Sequence, residues 1–269
     1  MSEITLSSVL EKFEPITLKQ MSMVRLMNRI DTKYVTKKEN LIRFLSKMSE
    51  DYYAQEINNK RIALYHTLYM DTPDLEMYIA HQDDRSVRQK IRIREYVDSD
   101  LSFFEVKNRD NKGRIIKERI AISDFKDYNS KKVVSFIEKR TLYNIQNLIP
   151  QLENSFERIT LVNKEKTLRL TIDIDISFNN IQTRLRNDLL SDIVVIEIKH
   201  DGKLNPESRS LLKELNIHQE KISKYCFGSV LTNPDLKYNR FKPKLSFIKK
   251  IINTEINGQF YNAYANGFF

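Results

Sequence analysis

The segment Val87–Val97 places Arg88, Lys90, Arg92 and Arg94 at alternate positions, with Val87, Ile91, Ile93 and Val97 between and around them. In an extended chain, residues two apart share a face, so the cations stand on one side and an apolar row on the other. Like charges side by side repel, and a merely wetted face usually mixes signs and uses Thr, Ser and Gln. Such a row suits the grip of a polyanion: guanidinium forks bind phosphate oxygens in pairs, and lysines act as point charges. The same alternation sets Glu197 and Lys199 opposite Val194, Ile196 and Ile198. It sets Arg169, Thr171, Asp173 and Asp175 opposite Leu168, Leu170, Ile172, Ile174 and Ile176. A carboxylate such as Glu197, isolated among apolar neighbours and cations, is what a divalent metal needs among oxygen ligands.

Strands must line these residues up, and period-two alternation predicts eight of them. They are Arg29–Thr36, Tyr65–Asp71, Val87–Val97, Leu101–Asn108, Arg114–Ala121, Ser155–Val162, Leu168–Ser177 and Ile193–Lys199. Helical spacing marks Ser7–Phe13 and Thr17–Asn28 on either side of Pro15, then Lys38–Met48, Ser130–Leu148, Pro206–Leu215, Glu220–Leu231 and a short basic Leu245–Ile252. Thr72-Pro73-Asp74 predicts a helix start with proline at the first helical position. Two arrangements satisfy the strands. One is an antiparallel sheet with its charged face in water. In the other, helices cover the apolar faces and the charged faces look at one another. Eight strands can close into a barrel just wide enough for side chains or one small ligand. A charged bore then needs counter-charge and water, because buried unpaired charge is very costly.

The chain has 269 residues with no linker, repeat or low-complexity stretch, so one domain over 1–269 is expected. Its parts would be an N-terminal helical segment at about 7–28, a core at about 29–235 and the basic helix at about 245–252. Lys plus Arg is 45 against 36 Asp plus Glu, a net charge of +9, compatible with nucleic acid, anionic lipid or a polyanionic substrate. At 41% hydrophobic residues the chain is not a disordered tail. No apolar run approaches the ~20 residues of a membrane span, and no secretory signal is visible. Cys226 is the single cysteine, which suits a reducing, cytoplasmic setting. His66, His81, His200 and His218 show no zinc-ligand spacing. A Walker-type loop and a Ser-His-Asp arrangement are also missing.

In order along the chain stand Arg29-Ile-Asp-Thr-Lys33-Tyr34, Arg92-Ile-Arg94, Phe104-Glu105-Val106-Lys107 and Lys117-Glu-Arg119. Arg158, Arg169-Leu-Thr-Ile-Asp173, Ile196-Glu197-Ile198-Lys199 and Lys221-Ile-Ser223-Lys224-Tyr225 follow. This succession, over about residues 20–235, resembles the catalytic domain of the vacuolar transporter chaperone (VTC) family of polyphosphate polymerases, within the triphosphate tunnel metalloenzymes. The resemblance implies an α+β fold: an eight-stranded antiparallel β-barrel with a charged bore, surrounded by helices. It implies transfer of the γ-phosphoryl of ATP to polyphosphate with release of ADP, carried by Lys33, Arg92, Arg94, Lys107, Lys117, Arg158, Arg169 and Lys224. Arg119, Lys199, Lys221 and Ser223 would add contacts to substrate phosphates. Glu197 would hold Mn²⁺ or Mg²⁺, with Asp31, Glu105 and Asp173 as second-rank carboxylates. ATP and polyphosphate are the implied ligands, with no nucleic acid, and a membrane-protein partner is the implied route of product export. Phe156 departs from the family's pattern, which often has tyrosine two residues before Arg158, so this position offers phosphate no hydroxyl. Arg29-x-Asp31-x-Lys33 also replaces the Glu-x-Glu-x-Lys of the cyclase and thiamine-triphosphatase branches.

Two other functions fit the same residues. One is hydrolysis of triphosphate or a nucleoside triphosphate in the same tunnel, with water as acceptor. The other is a non-catalytic module that binds polyphosphate or RNA. Sheet readers of RNA display stacking aromatics among their cations, whereas Val87–Val97 offers only Tyr96.

Overall fold

A computed structural model of the chain describes residues 4–22, 30–125, 128–200 and 206–252. Eight long strands carry the architecture: β1 (Ile30–Lys37), β2 (Ala63–Asp71), β3 (Arg88–Tyr96), β4 (Leu101–Arg109), β5 (Ile115–Ile122), β6 (Ile149–Asn163), β7 (Leu168–Asn180) and β8 (Ile193–His200). Each expected strand is present, several one to seven residues longer than alternation indicated and Val87–Val97 two residues shorter. All ladders between them are antiparallel, in the spatial order β1-β8-β7-β6-β2-β3-β4-β5. Four shorter strands, Glu14–Ile16, Tyr52–Gln55, Arg186–Asn187 and His218–Gln219, escaped notice because two to four residues show no period.

The sheet is antiparallel with helices around it, but the expected closure into an eight-stranded barrel does not occur. Among the described residues strand β5 pairs only with β4, and the other side of β1 carries His218–Gln219, with His218 opposite Val35 and Gln219 opposite Tyr34. That short strand occupies the edge of β1 at Tyr34 and Val35. The open sheet nevertheless curls. Asp31, Lys33 and Glu197 on β1 and β8 act electrostatically on Lys107 of β4. On a flat sheet, the six steps of ~4.8 Å from β1 to β4 and the five from β8 would set them about 24–29 Å apart.

Helices cover the outer, apolar face. Leu41, Phe44 and Leu45 of α3 (Lys38–Ser46), with Leu212 of α6 (Pro206–Glu214), pack on Leu168, Leu170, Ile172, Val194, Ile196 and Ile198. Val133 and Ile137 of α5 (Lys131–Arg140) belong with Ile91, Ile93, Phe104 and Val106 to the other core cluster. With the apolar side buried this way, the charged side faces inward, the second of the two arrangements open to the sequence. Two residues of β7, Asp175 and Ile176, stand opposite the single Phe156 of β6, and Asp175 takes φ 52°. That is a β-bulge with a left-handed residue, a conformation aspartate tolerates.

Helix positions need three corrections, the first being that α5 ends at Arg140 instead of running to Leu148, with only a 3-10 turn at Ile145–Asn147 beyond it. No helix begins at Thr72-Pro73-Asp74. Instead α4 spans Glu76–Gln82 after Leu75 at φ 58°. The fully buried Asp71 caps it from a distance, accepting from the amides of Thr72 (2.8 Å), Met77 (2.9 Å) and Tyr78 (2.9 Å). Likewise α7 is Lys224–Thr232 rather than starting at Glu220, with Ser223 as its cap: the hydroxyl accepts from Cys226 N at 3.3 Å. At the N-terminus α1 (Leu6–Leu10) and α2 (Leu18–Ser22) flank the strand that contains Pro15. The rest of the helix expected to Asn28, and Arg29, lie outside the described residues. At the C-terminal side α8 spans Lys242–Ile252. Among the described residues no helix is long and apolar enough to cross a membrane.

Helix α7 lies inside the curl. Tyr225 packs on Tyr69, and a Cβ added at Gly228 would overlap the Phe178 ring and Leu152. Gly228→Ala is therefore expected to destabilise the protein by ~1–3 kcal/mol through overpacking, although alanine gains ~1 kcal/mol of helix propensity. Urea unfolding of the two proteins checks the sign.

Candidate functional site

The inner face follows from the pairing register. Lys33 stands opposite Glu197, Glu197 opposite Thr171, and Lys199 between Asp31 and Arg169. Arg158 pairs with Asp173 across β6 and β7, and Phe156 with Tyr65 across β6 and β2. Tyr69 meets Arg92 and Thr67 meets Arg94, then Arg92 meets Glu105, Lys90 meets Lys107, Glu105 meets Arg119 and Lys107 meets Lys117. Every strand residue predicted for the site thus sits on one surface, and every long strand except β2 brings a cation to it; Asp175, expected on the face of Asp173, is turned away at the bulge and pairs with Lys38 of α3.

Three carboxylates each hold two cations. Glu105, 1% exposed, accepts from Arg92 Nε at 2.7 Å and lies 2.5 Å from Lys117 Nζ. Asp173 accepts both arms of Arg158, at 2.6 and 2.9 Å, and also bonds Lys224. Glu197 meets Lys33 at 3.0 Å and bonds Lys199. Burial disfavours all three charges, yet the cations outweigh it. Glu105 is brought down to about 2 by Arg92, Lys117 and Arg94 against its desolvation. Asp173 (through Arg158 and Lys224) and Glu197 (through Lys33 and Lys199) likewise stay well below the usual range despite burial.

The lysines move down as well, because burial dominates even where a carboxylate helps. Lys224 falls to about 7, from burial, with Arg158 and Lys33 adding to it and Asp173 opposing. Lys90 falls to about 8, again from burial, with Lys107, Lys33 and Arg92 adding. Lys117 goes to about 8, though its side chain is 39% exposed and water screens it. Burial also lowers Lys107 and Lys199. Among the described residues no carboxylate is within ion-pair distance of Lys90, Arg94, Lys107 or Arg119. Lys90 donates to Ser223 Oγ at 2.9 Å and Arg94 to Thr67 Oγ1 at 3.2 Å, while Arg119 lies over the Phe103 ring at 4.2 Å.

The segment before α7 ties the two sides of the curl. Glu220 N donates to the Lys33 carbonyl at 3.0 Å, Ser223 meets Lys90, and Lys224 reaches Asp173. Lys221, expected to share a helix face with Lys224, precedes the helix. Its side chain is exposed, and its carbonyl accepts from Lys244 Nζ at 2.6 Å. It is not brought together with the bore cations. Lys90 belongs to the inner face and was not singled out, although its place in the alternating row was the available signal. Tyr65, Thr67 and Tyr69 on β2 gave no charge signal at all.

Among the described residues no three His, Cys, Asp or Glu side chains cluster as a metal cage. Glu197 has beside it Thr171, whose buried Oγ1 has no hydrogen-bond partner among the described residues. These oxygens fit a divalent ion that takes its other ligands from phosphate and water, the usual habit of Mg²⁺.

Residues 28–233 match the family model described as the VTC domain. The chain belongs to the VTC domain family. No curated protein matches it. Solved structures with a similar course of chain include a Bacillus halodurans protein described as a candidate adenylate cyclase, at 17% identity over 73% of this chain and 96% of that one, TM-score 0.47. Another is a Hippeastrum adenylyl cyclase candidate described with a dominant triphosphatase activity, at 15% identity over 78% and 100%, TM-score 0.47. A third is a Pyrococcus horikoshii protein at 15% identity over 74% and 97%, TM-score 0.42. Likeness this distant says nothing of chemistry.

Two outcomes follow for the ligand-free VTC domain. Arg92→Ala strips the buried Glu105 of one partner and should cost about 3 kcal/mol. Arg94→Ala loses the Thr67 bond but relieves repulsion from Arg92 and Arg158, so about 1 kcal/mol or less is expected. Equal losses in chemical denaturation would contradict this division. Second, Lys224 and Lys90 titrate near 7–8 when folded and near their ordinary ~10.4 when unfolded. Between those values the unfolded chain binds more protons, so stability should rise with pH. The urea midpoint at pH 9 is expected above that at pH 7.

Proposed function

We propose that this VTC domain is a phosphotransferase that moves the γ-phosphoryl of ATP onto a polyphosphate chain and releases ADP. The observation that carries it is the inward face itself: cations converge from across the curled sheet, in excess of the carboxylates among them. Phosphoryl transfer spreads charge over the moving group, so catalysis is mostly positioning and electrostatic stabilisation. In this reading Lys33, Lys90, Arg92, Arg94, Lys107, Lys117, Arg158, Arg169 and Lys224 hold the phosphates, with Arg119, Lys199 and Ser223 at the margins. Glu197 and Thr171 would hold Mn²⁺ or Mg²⁺, which neutralises phosphate charge when bound.

Two features favour a phosphate acceptor over water. The terminal oxygen of a phosphate chain is already anionic and needs no base, whereas a water nucleophile benefits from a base with a pKa near the working pH. Glu105, Asp173 and Glu197 are each clamped by two cations and titrate far below neutrality, while Lys224 and Lys90, two groups lowered toward the working pH, are tied as donors to Asp173 and Ser223. The cation row Arg88–Arg94 also extends over ~20 Å of strand, more than a triphosphate spans.

Incubation with ATP and Mn²⁺ should yield ADP together with phosphate polymers on a gel. Orthophosphate and ADP without polymer would make the domain a hydrolase, and no ADP would remove the enzyme reading. Lys224→Ala is expected to lower kcat/KM for ATP at least tenfold, ~1.4 kcal/mol of transition-state stabilisation. Lys221→Ala should stay within about twofold, and Glu197→Gln should shift the Mn²⁺ dependence to higher concentration. Equal effects of the two lysine variants would displace α7 from the site.

A further inference from the structure

Phe156 stands among three cations. Its ring is fully buried, with Lys224 Nζ 3.8 Å from the centroid, Arg158 Cζ at 5.2 Å and Arg94 Cζ at 5.6 Å. These cations come from α7, β6 and β3, and the ring faces inward because it stands two residues before Arg158 on β6. Tyr65 stacks on Phe156 at 5.1 Å and 21°, and its own ring lies 4.9 Å from Arg158 and 5.7 Å from Arg94. Among the described residues these three groups have one carboxylate at ion-pair distance, Asp173, bound to Arg158 and Lys224.

An aromatic face attracts a cation through its quadrupole. A carboxylate does so through a full negative charge, which cancels the field a phosphate would feel. A ring therefore gathers cations and leaves their net charge available to a ligand. Phenylalanine does this without a hydroxyl that would compete for guanidinium donors.

We propose that Phe156 is a positioning residue for polyphosphate binding: its ring holds the charged ends of Lys224, Arg158 and Arg94 convergent on one phosphate site without neutralising them. This rests on the phosphate-binding reading of the inner face.

The probe is inorganic triphosphate, titrated calorimetrically without metal. Phe156→Leu keeps an apolar side chain and removes the ring face, and its affinity is expected to fall at least tenfold. Phe156→Tyr restores the face and should regain most of that loss. In a Lys224→Ala background, the effect of Phe156→Leu should shrink at least threefold, because one held cation is already gone. A packing role would leave the fold-change the same in both backgrounds and would overturn the proposal, as would wild-type affinity in Phe156→Leu. Thermal melting of each variant reports folding, and Phe156→Met replaces Phe156→Leu if the latter does not fold. If the unaltered protein binds no triphosphate, the phosphate-site reading itself fails and this inference falls with it. If it binds and Phe156→Leu binds equally, only the inference fails.

Discussion

Positive charge turned toward a confined, poorly solvated interior is the constraint on which the rest of this structure depends. Such charges are tolerable only when paired, hydrogen-bonded or given a counter-ion. Glu105, Asp173 and Glu197 each serve two cations, which holds these carboxylates ionised far below neutrality. The hydroxyls of Thr67 and Ser223 and the rings of Phe103, Tyr65 and Phe156 take further contacts. What is left over is an unneutralised positive field, and a polyanion is its natural complement. Some stability is thus given up in the empty protein to keep charge ready for a ligand.

Helix α7 is the piece that turns a curled sheet into a site. Its apolar residues Phe227, Val230 and Leu231 belong to the core, and Gly228 lets it pass close to Phe178 and Leu152. Its first turn is held from several directions at once: by Asp71 through Tyr225, by Lys90 through Ser223, and by Asp173 through Lys224. The free N–H groups and partial positive charge of a helix start add to the same field. Because the sheet is open rather than a closed barrel, this helix and the segment from Glu220 supply contacts across the interior that ring closure would otherwise provide.

The strands, their inward faces and most site cations were legible in the sequence because alternation is local. A residue and its second neighbour share a face wherever the strand later goes, so Arg92, Arg94, Glu197, Lys199, Arg169 and Asp173 could be placed together before any fold was known. The VTC family followed from the order of those short motifs. Helix boundaries near polar residues were less legible. Glu220–Ser223 has no strong signal against helix, and its extended course depends on the bond from Glu220 N to the Lys33 carbonyl.

Tertiary structure alone decided which charges pair, whether the sheet closes and which cations stay without a carboxylate. The sheet stays open, and the edge of β1 carries His218–Gln219, a partner far away in sequence that no periodicity reveals. Lys90 gained its role from Ser223, and Phe156 from the convergence of Arg94 and Lys224 on its ring from other elements. The sequence by itself determined the elements, their faces and the sign of the interior charge, since these depend on residue type and near neighbours. Pairing, burial and the resulting pKa shifts depend on distances between remote residues, which exist only once the chain has folded.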